Sequence, residues 1–327
     1  MLSGLNFGDL RSADPALRPS KAEAAGLAFA IDEPVSVVSP VVFASPHSGR
    51  LYPASFLDTV SASLIDLRRI EDAYVDRLLS EAHLCGAPVL YGLVGRACVD
   101  LNRAETEMDP GMFADPSPLW TGSRSPRVEA GLGCIPRIAF NGAPIYARKL
   151  SRREAEARLD GVYRPYHRAL DSLLGRAQAM FGQAWLIDCH SMPAEPDNHR
   201  APDIVIGDRF GSSCHPGLTD LVERLFRERG YSTARNTPYA GGFATMTYGQ
   251  PGQNRHALQI EIRRSLYLDE IRVEPHDGFL TLRRDISEIT REICAYARNA
   301  VEKTTGKTKE KAAPGAGAAK AVGRKRP

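Results

Sequence analysis

Residues 184–191 read AWLIDCHS, four apolar residues running directly into aspartate, cysteine, histidine and serine. A short apolar run with a polar end has the character of a buried strand. It follows a long amphipathic stretch, 151–182, whose helix is expected to break at Pro165. It precedes DIVIGD (203–208), a second strand, and GLTDLVERLFRERG (217–230), a helix stopped by glycine. HALQIEIRRSLY (256–267) reads as a strand or strand-to-loop passage, and residues 279–301 as a long closing helix. Upstream, Pro34–Ala44 holds one or two strands. Residues 61–86 hold one or two amphipathic helices, with Leu64, Leu67, Tyr74, Leu78 and Leu79 on the apolar face and Gly86 as the stop. Residues 87–103 hold two short strands that enter a polar loop. Strands alternating with helices predict an α/β protein with a mainly parallel sheet covered on both faces. Ligands of such sheets bind beyond the carboxyl ends of the strands. Residues 104–145, rich in Pro, Gly and Asp, form a long loop region of the kind that is usually functional or mobile.

Composition narrows the class. The 327 residues are 43% hydrophobic and 25% charged, ordinary for a globular chain. There is no apolar run of 18 residues and no basic start followed by an apolar stretch, so neither a membrane span nor a secretory signal is expected. Six scattered cysteines without a CxxC pair suit a cytoplasmic protein better than a disulfide-built one. The net charge of +3 conceals an uneven distribution: residues 301–327 carry eight Lys or Arg against two acids, which leaves the body near −3. The expected organisation is an irregular arm (1–34), a folded body (35–300) and a disordered basic tail (301–327). A nucleic-acid role resting on that tail is not expected, and the sequence sets no oligomeric state.

Polar residues cluster at the strand ends. SPHSG (45–49) follows VVFA and supplies His47, while DCHS supplies His190. Two histidines and a carboxylate with an open fourth position form a common catalytic zinc set. The carboxylate would come from RIEDAYVD (69–76), which offers Glu71, Asp72 and Asp76. Asp188 shares a strand face with His190 and would either orient its imidazole or cap a neighbouring helix. Glu261, between Ile260 and Ile262, is costly to bury unless paired or functional. It reads as either an ion-pair partner or a general base for an attacking water. Arg103, Asn102 and Arg137 suit a substrate carboxylate, although exposed arginines are commonly only solvated.

SPHSG, EDAYVDRL, VDLNR, GCIPR, PYH (165–167), DCHS, IGDRFGSSC, PYAGGFAT and HALQIE occur in that order. Together they resemble the N-formylglutamate amidohydrolase family from about residue 40 to about 270. The resemblance implies a zinc-carboxypeptidase-like α/β fold, three-layered, with a mixed, largely parallel sheet between helices. It implies hydrolysis of the N-formyl amide of an acidic amino acid, with one zinc ion held by His47, Asp72 and His190, Glu71 being the alternative to Asp72. It further implies Glu261 as general base and acid, Arg103 with Asn102 on the substrate carboxylate, Arg137 as a second clamp, and Gly241 and Gly242 as points of close backbone approach. Ala73 stands where typical members carry tryptophan. Two other readings remain: a zinc hydrolase of another N-acyl amino acid or peptide-like amide, and a binding protein that kept the fold and lost the reaction.

Overall fold

The computed structural model describes residues 27–120, 125–194 and 201–312. Its main sheet has seven strands: β1 (Phe29–Asp32), β2 (Val41–Ser45), β3 (Val89–Gly92), β4 (Ala184–Met192), β5 (Ile204–Gly207), β6 (Thr233–Arg235) and β7 (Arg255–Arg263). Their order across the sheet is β1-β3-β2-β4-β7-β5-β6. The four central strands are parallel, whereas β1 runs against β3 and β5 against β7. The expected mixed, largely parallel sheet is therefore present, and AWLIDCHS lies at its centre.

Helices relevant to the site are α1 (Leu64–Arg68), α2 (Val75–Leu78), α3 (Arg152–Arg158), α4 (Arg164–Phe181), α5 (Pro216–Glu228), α6 (Phe243–Tyr248) and α7 (Gly278–Ala312). On one face Trp185, Ile187 and Cys189 of β4 pack with Leu258, Ile260 and Ile262 of β7 beneath α5 and α7. On the other, Leu186 and Ala257 pack with Tyr166, Leu170 and Leu173 of α4 and with residues of the 97–150 region. Side chains alternate along a strand, so Asp188, His190, Gln259 and Glu261 continue this second face towards the strands' carboxyl ends.

Three expectations change. Phe29–Asp32, assigned to the irregular arm, forms the antiparallel edge strand β1, because the edge of β3 offers hydrogen bonds and Phe29 and Ile31 pack on the second core. Residues 87–103 give one strand rather than two, since the chain turns at Gly95–Cys98. The closing helix passes the expected boundary at 301 and runs to Ala312, where Lys, Glu and Ala favour helix. Residues 1–26 and 313–327 of the expected arm and tail lie outside the described residues. The break expected at Pro165 takes the form of a π turn over Leu159–Tyr163, with Pro165 in the first turn of α4. A proline ring clashes with the carbonyl four residues earlier, and the wider turn accommodates it.

Gly175 lies inside α4, and a methyl group there would meet nothing closer than Arg255 Nη2 at 4.0 Å. Gly175→Ala is expected to stabilise the protein by about 0.5–1 kcal/mol by removing backbone freedom from the unfolded chain. A higher urea midpoint with an unchanged m-value would show it.

Candidate active site and metal centre

His47 follows the end of β2, and its backbone carbonyl accepts from the Asp72 amide at 3.0 Å. The chain then turns through a left-handed residue, Tyr74 (φ 65°), whose side chain is buried. This turn ends the helical periodicity read over 61–86 and separates α1 from α2. It also directs adjacent acidic residues in different directions. Glu71 accepts from Tyr52 O–H at 2.7 Å and faces Arg68. Asp72 enters the cleft at the carboxyl end of the sheet.

There Asp72 Oδ2 lies 3.2 Å from His47 Nδ1 and 3.0 Å from His190 Nδ1. The three residues are buried, and their ligand atoms lie within 4.8 Å of one another. The remaining ring nitrogens face carboxylates: His47 Nε2 meets Asp100 at 2.7 Å, and His190 Nε2 meets Asp188 at 2.8 Å. A carboxylate only accepts, so each Nε2 carries a proton. Two neutral imidazoles would then aim Nδ1 lone pairs at a carboxylate oxygen, an arrangement satisfied by added protons or by a cation. Zinc bonds of 2.0–2.1 Å in a tetrahedron set ligand atoms about 3.3 Å apart, close to the 3.2 and 3.0 Å that separate Asp72 Oδ2 from the two Nδ1 atoms. The residues therefore fit zinc.

Asp72 Oδ1 accepts from Arg264 Nη2 at 3.1 Å and Ser191 Oγ at 3.3 Å, which leaves Oδ2 to the histidines. Burial opposes ionisation, but hydrogen bonds from His190 and His47 hold the Asp72 carboxyl well below its ordinary range. Burial likewise works against Asp100, and the Arg96 guanidinium, 2.7 Å away, outweighs it and holds that carboxyl low. The His190 imidazole is raised well above its usual value, with Asp188 overcoming burial.

Glu261 lies on β7 directly across from His190 on β4. Its Oε1 accepts from Gln259 Nε2 at 2.7 Å, and Gln259 Oε1 accepts from the Gly242 amide at 2.7 Å. Burial, opposed by His190 and reinforced by Asp72, lifts the Glu261 carboxyl to about 7. These groups line a cleft of about 350 Å³ together with Arg103, Arg127, Leu132 and Tyr239.

The remaining expected residues are placed less uniformly. Arg103 lines the cleft, and among the described residues it donates only to the backbone carbonyls of Leu132 (3.1 Å) and Asn102 (2.8 Å). Asn102 is held on every side. Its Oδ1 accepts from the Ala244 amide at 2.8 Å, and its Nδ2 donates to Asp188 Oδ2 at 3.4 Å and to Gln259 Oε1 at 3.5 Å. Gly241 (φ 123°) adopts a conformation that favours glycine, and a Cβ at Gly242 would collide with the Asn102 carboxamide. Gly242 thus admits the Asn102 side chain. Arg137 does not reach the cleft: it pairs with Asp109 at 3.1 Å and donates to the Glu129 carbonyl. Ala73 packs in the core of the opposite sheet face, away from the substrate cleft. Asp100, Arg96, Gln259, Arg264 and Ser191 escaped the sequence reading. Gln259, two residues before Glu261 on one strand, was within reach of the period-two rule.

Glu71 carries a further expectation. Burial lifts its carboxyl to about 7, opposed by Arg68 and the Tyr52 hydrogen bond. A raised carboxyl contributes its stability below the unfolded value of 4.5 and loses it as pH rises through about 7. Glu71→Gln is therefore expected to keep bound metal and to gain stability relative to the parent above pH 7 but not at pH 5. Urea unfolding at both values, with metal analysis, checks this.

A sheet that gathers two histidines, an aspartate and a separate buried glutamate into one cleft has the layout of a hydrolase site. The chain belongs to the N-formylglutamate amidohydrolase family, whose sequence model matches residues 39–268. It is 33% identical to an N-formylglutamate deformylase of Pseudomonas aeruginosa over 264 residues, 78% of this chain and 89% of that one. It is 30% identical to the Pseudomonas putida deformylase over 263 residues, with the same coverage. The crystal structure of an N-formylglutamate amidohydrolase from Ralstonia eutropha superposes with a TM-score of 0.79 and 38% identity. The match covers 83% of this chain and 99% of that one. The protein is thus a hydrolase of the N-formylglutamate deformylase type. Among the described residues no helix is long and apolar enough to cross a membrane.

Proposed function

We propose that the protein hydrolyses N-formyl-L-glutamate to formate and L-glutamate with one zinc ion held by His47, Asp72 and His190. The observation that supports this most is the convergence of two Nδ1 atoms on Asp72 Oδ2, at 3.2 and 3.0 Å, with both Nε2 protons fixed by Asp100 and Asp188. Zinc bound there supplies Lewis-acid polarisation of the scissile carbonyl. Glu261 takes a proton from the attacking water and delivers it to the departing amine nitrogen. A carboxyl near 7 suits both transfers at neutral pH. Gln259 fixes Oε1 of that carboxyl, leaving Oε2 for the proton. Arg103, which among the described residues bonds only to backbone carbonyls, is the candidate for the substrate carboxylate. Its six cysteines carry no disulfide, in keeping with a cytoplasmic site of action.

The test is zinc content and hydrolysis of N-formyl-L-glutamate by one sample, alongside a panel of other N-acyl amino acids. One zinc per chain with preferential turnover of the formylglutamate is expected. Faster turnover of a different N-acyl amino acid would overturn the substrate, and full activity in a metal-free sample would overturn the zinc.

A further inference from the structure

Residues Asp100–Arg103 bring a histidine partner, the Asn102 hub and the Arg103 guanidinium into the cleft, yet they form no helix or strand. Their backbone carbonyls must find partners elsewhere. The Asp100 carbonyl faces Cys134 Sγ at 3.8 Å, and that of Asn102 accepts from the Phe243 amide at 3.5 Å and from Arg103 Nη1 at 2.8 Å. The other two carbonyls are taken by side chains from one distant place. The Leu101 carbonyl lies 3.0 Å from His167 Nε2, and that of Arg103 accepts from Tyr163 O–H at 2.7 Å.

The chemistry at these contacts is determined. A carbonyl only accepts, so Nε2 of His167 carries the proton. Its Nδ1 then accepts from Tyr248 O–H at 3.0 Å, which joins the brace to α6 behind Gly241 and Gly242. Tyr163 and His167 stand one turn apart with ring centroids 4.3 Å from each other. Tyr163 is the last residue of the π turn, and His167 lies in the first turns of α4. A π turn inserts one residue into a helix and so rotates everything after it by about 100°. The insertion sets the register in which both rings meet the 101–103 backbone. His167 is the last residue of the PYH motif (165–167).

We propose that Tyr163 and His167 are positioning residues, which fix the 101–103 backbone so that the Arg103 guanidinium is presented to the substrate carboxylate. Neither side chain touches substrate in this assignment; both act through Arg103. The inference rests on Arg103 as the carboxylate-binding group of an N-acyl amino acid hydrolase.

Tyr163→Phe removes one oxygen and leaves the buried ring. It is expected to raise KM about three- to tenfold, the equivalent of one net hydrogen bond, with kcat little changed because the loss falls on uniform substrate binding. Zinc content should stay at the parent level. Binding of the product L-glutamate, measured by calorimetry without turnover, should weaken by the same factor. His167→Ala should raise KM more, and His167→Gln, whose amide can still donate to Leu101, should restore part of it. An unchanged KM and unchanged glutamate affinity in Tyr163→Phe would overturn the proposal, as would a fall in kcat at constant KM. If the parent protein prefers another N-acyl amino acid, the substrate assignment fails by itself, and the same comparison is made with that substrate and its product.

Discussion

Glu261→Gln is expected to lower kcat for N-formyl-L-glutamate roughly 10²–10⁴-fold, the usual span for loss of a positioned general base. The substitution keeps the shape of the side chain and removes only its capacity to gain and lose a proton. Glu261 is buried on a central strand, with Gln259 Nε2 donating to its Oε1. A glutamine carbonyl oxygen can accept that same bond, so the local packing survives. No ion pair of Glu261 occurs among the described residues, and its sequence neighbour Arg263 pairs with Asp203 instead. This removes the bland reading in which a strand glutamate neutralises an adjacent arginine. The KM should move little, because the carboxylate's contribution arises in the proton transfers rather than in holding substrate. Zinc content of the variant should equal that of the parent, which separates this effect from loss of metal. A variant with parental kcat and one bound zinc would remove Glu261 from the chemistry.

How much of this was legible beforehand depends on whether the deciding interaction is local. AWLIDCHS and HALQIEIRR announce buried strands because apolar residues run continuously there, and the polar residues at their ends mark the site. Alternation along the strand places Asp188 beside His190 and Glu261 on the cleft face. In contrast, β1 is four residues long and gains its stability from the edge of β3, so FAID has little signature of its own. The 61–86 stretch has helical periodicity throughout, yet it is cut by the left-handed backbone at Tyr74, a residue type with no preference for that conformation. Asn102 and Arg137 illustrate the same limit at the site. Asn102 resembled a substrate contact, but its carboxamide is taken up by Ala244, 142 residues away. Arg137 lies in a loop region without periodicity, where nothing in the sequence indicates that its partner is Asp109. Neighbouring carboxylates were likewise inseparable by pattern, because the side-chain directions of Glu71 and Asp72 depend on the turn that follows them.

That last distinction yields the strongest expectation. Asp72→Asn should abolish stable zinc binding and reduce hydrolysis to background, whereas Glu71→Gln should retain both. Among the described residues, Asp72 is the single carboxylate shared by both histidines, through Oδ2, and by Arg264 and Ser191, through Oδ1. An asparagine can present one oxygen to this group, but it brings no negative charge and turns an NH₂ towards a donor. If that NH₂ faces Arg264, two donors oppose each other; if it faces the histidines, the ligand atom is lost. Either orientation leaves Arg264, which is only 6% exposed, without its buried counter-charge. Breaking a buried ion pair by removing one partner costs about 3–5 kcal/mol. The variant should therefore also unfold at clearly lower urea concentration, even in the metal-free state. Arg264→Met in the Asp72→Asn background tests the cause: removing the stranded cation should recover part of the stability but none of the zinc. Dialysis followed by metal analysis, with urea curves in chelator for the single and double variants, measures both quantities. Retention of one zinc per chain by Asp72→Asn at parental affinity would transfer the ligand role elsewhere and leave His47 and His190 with a different third partner.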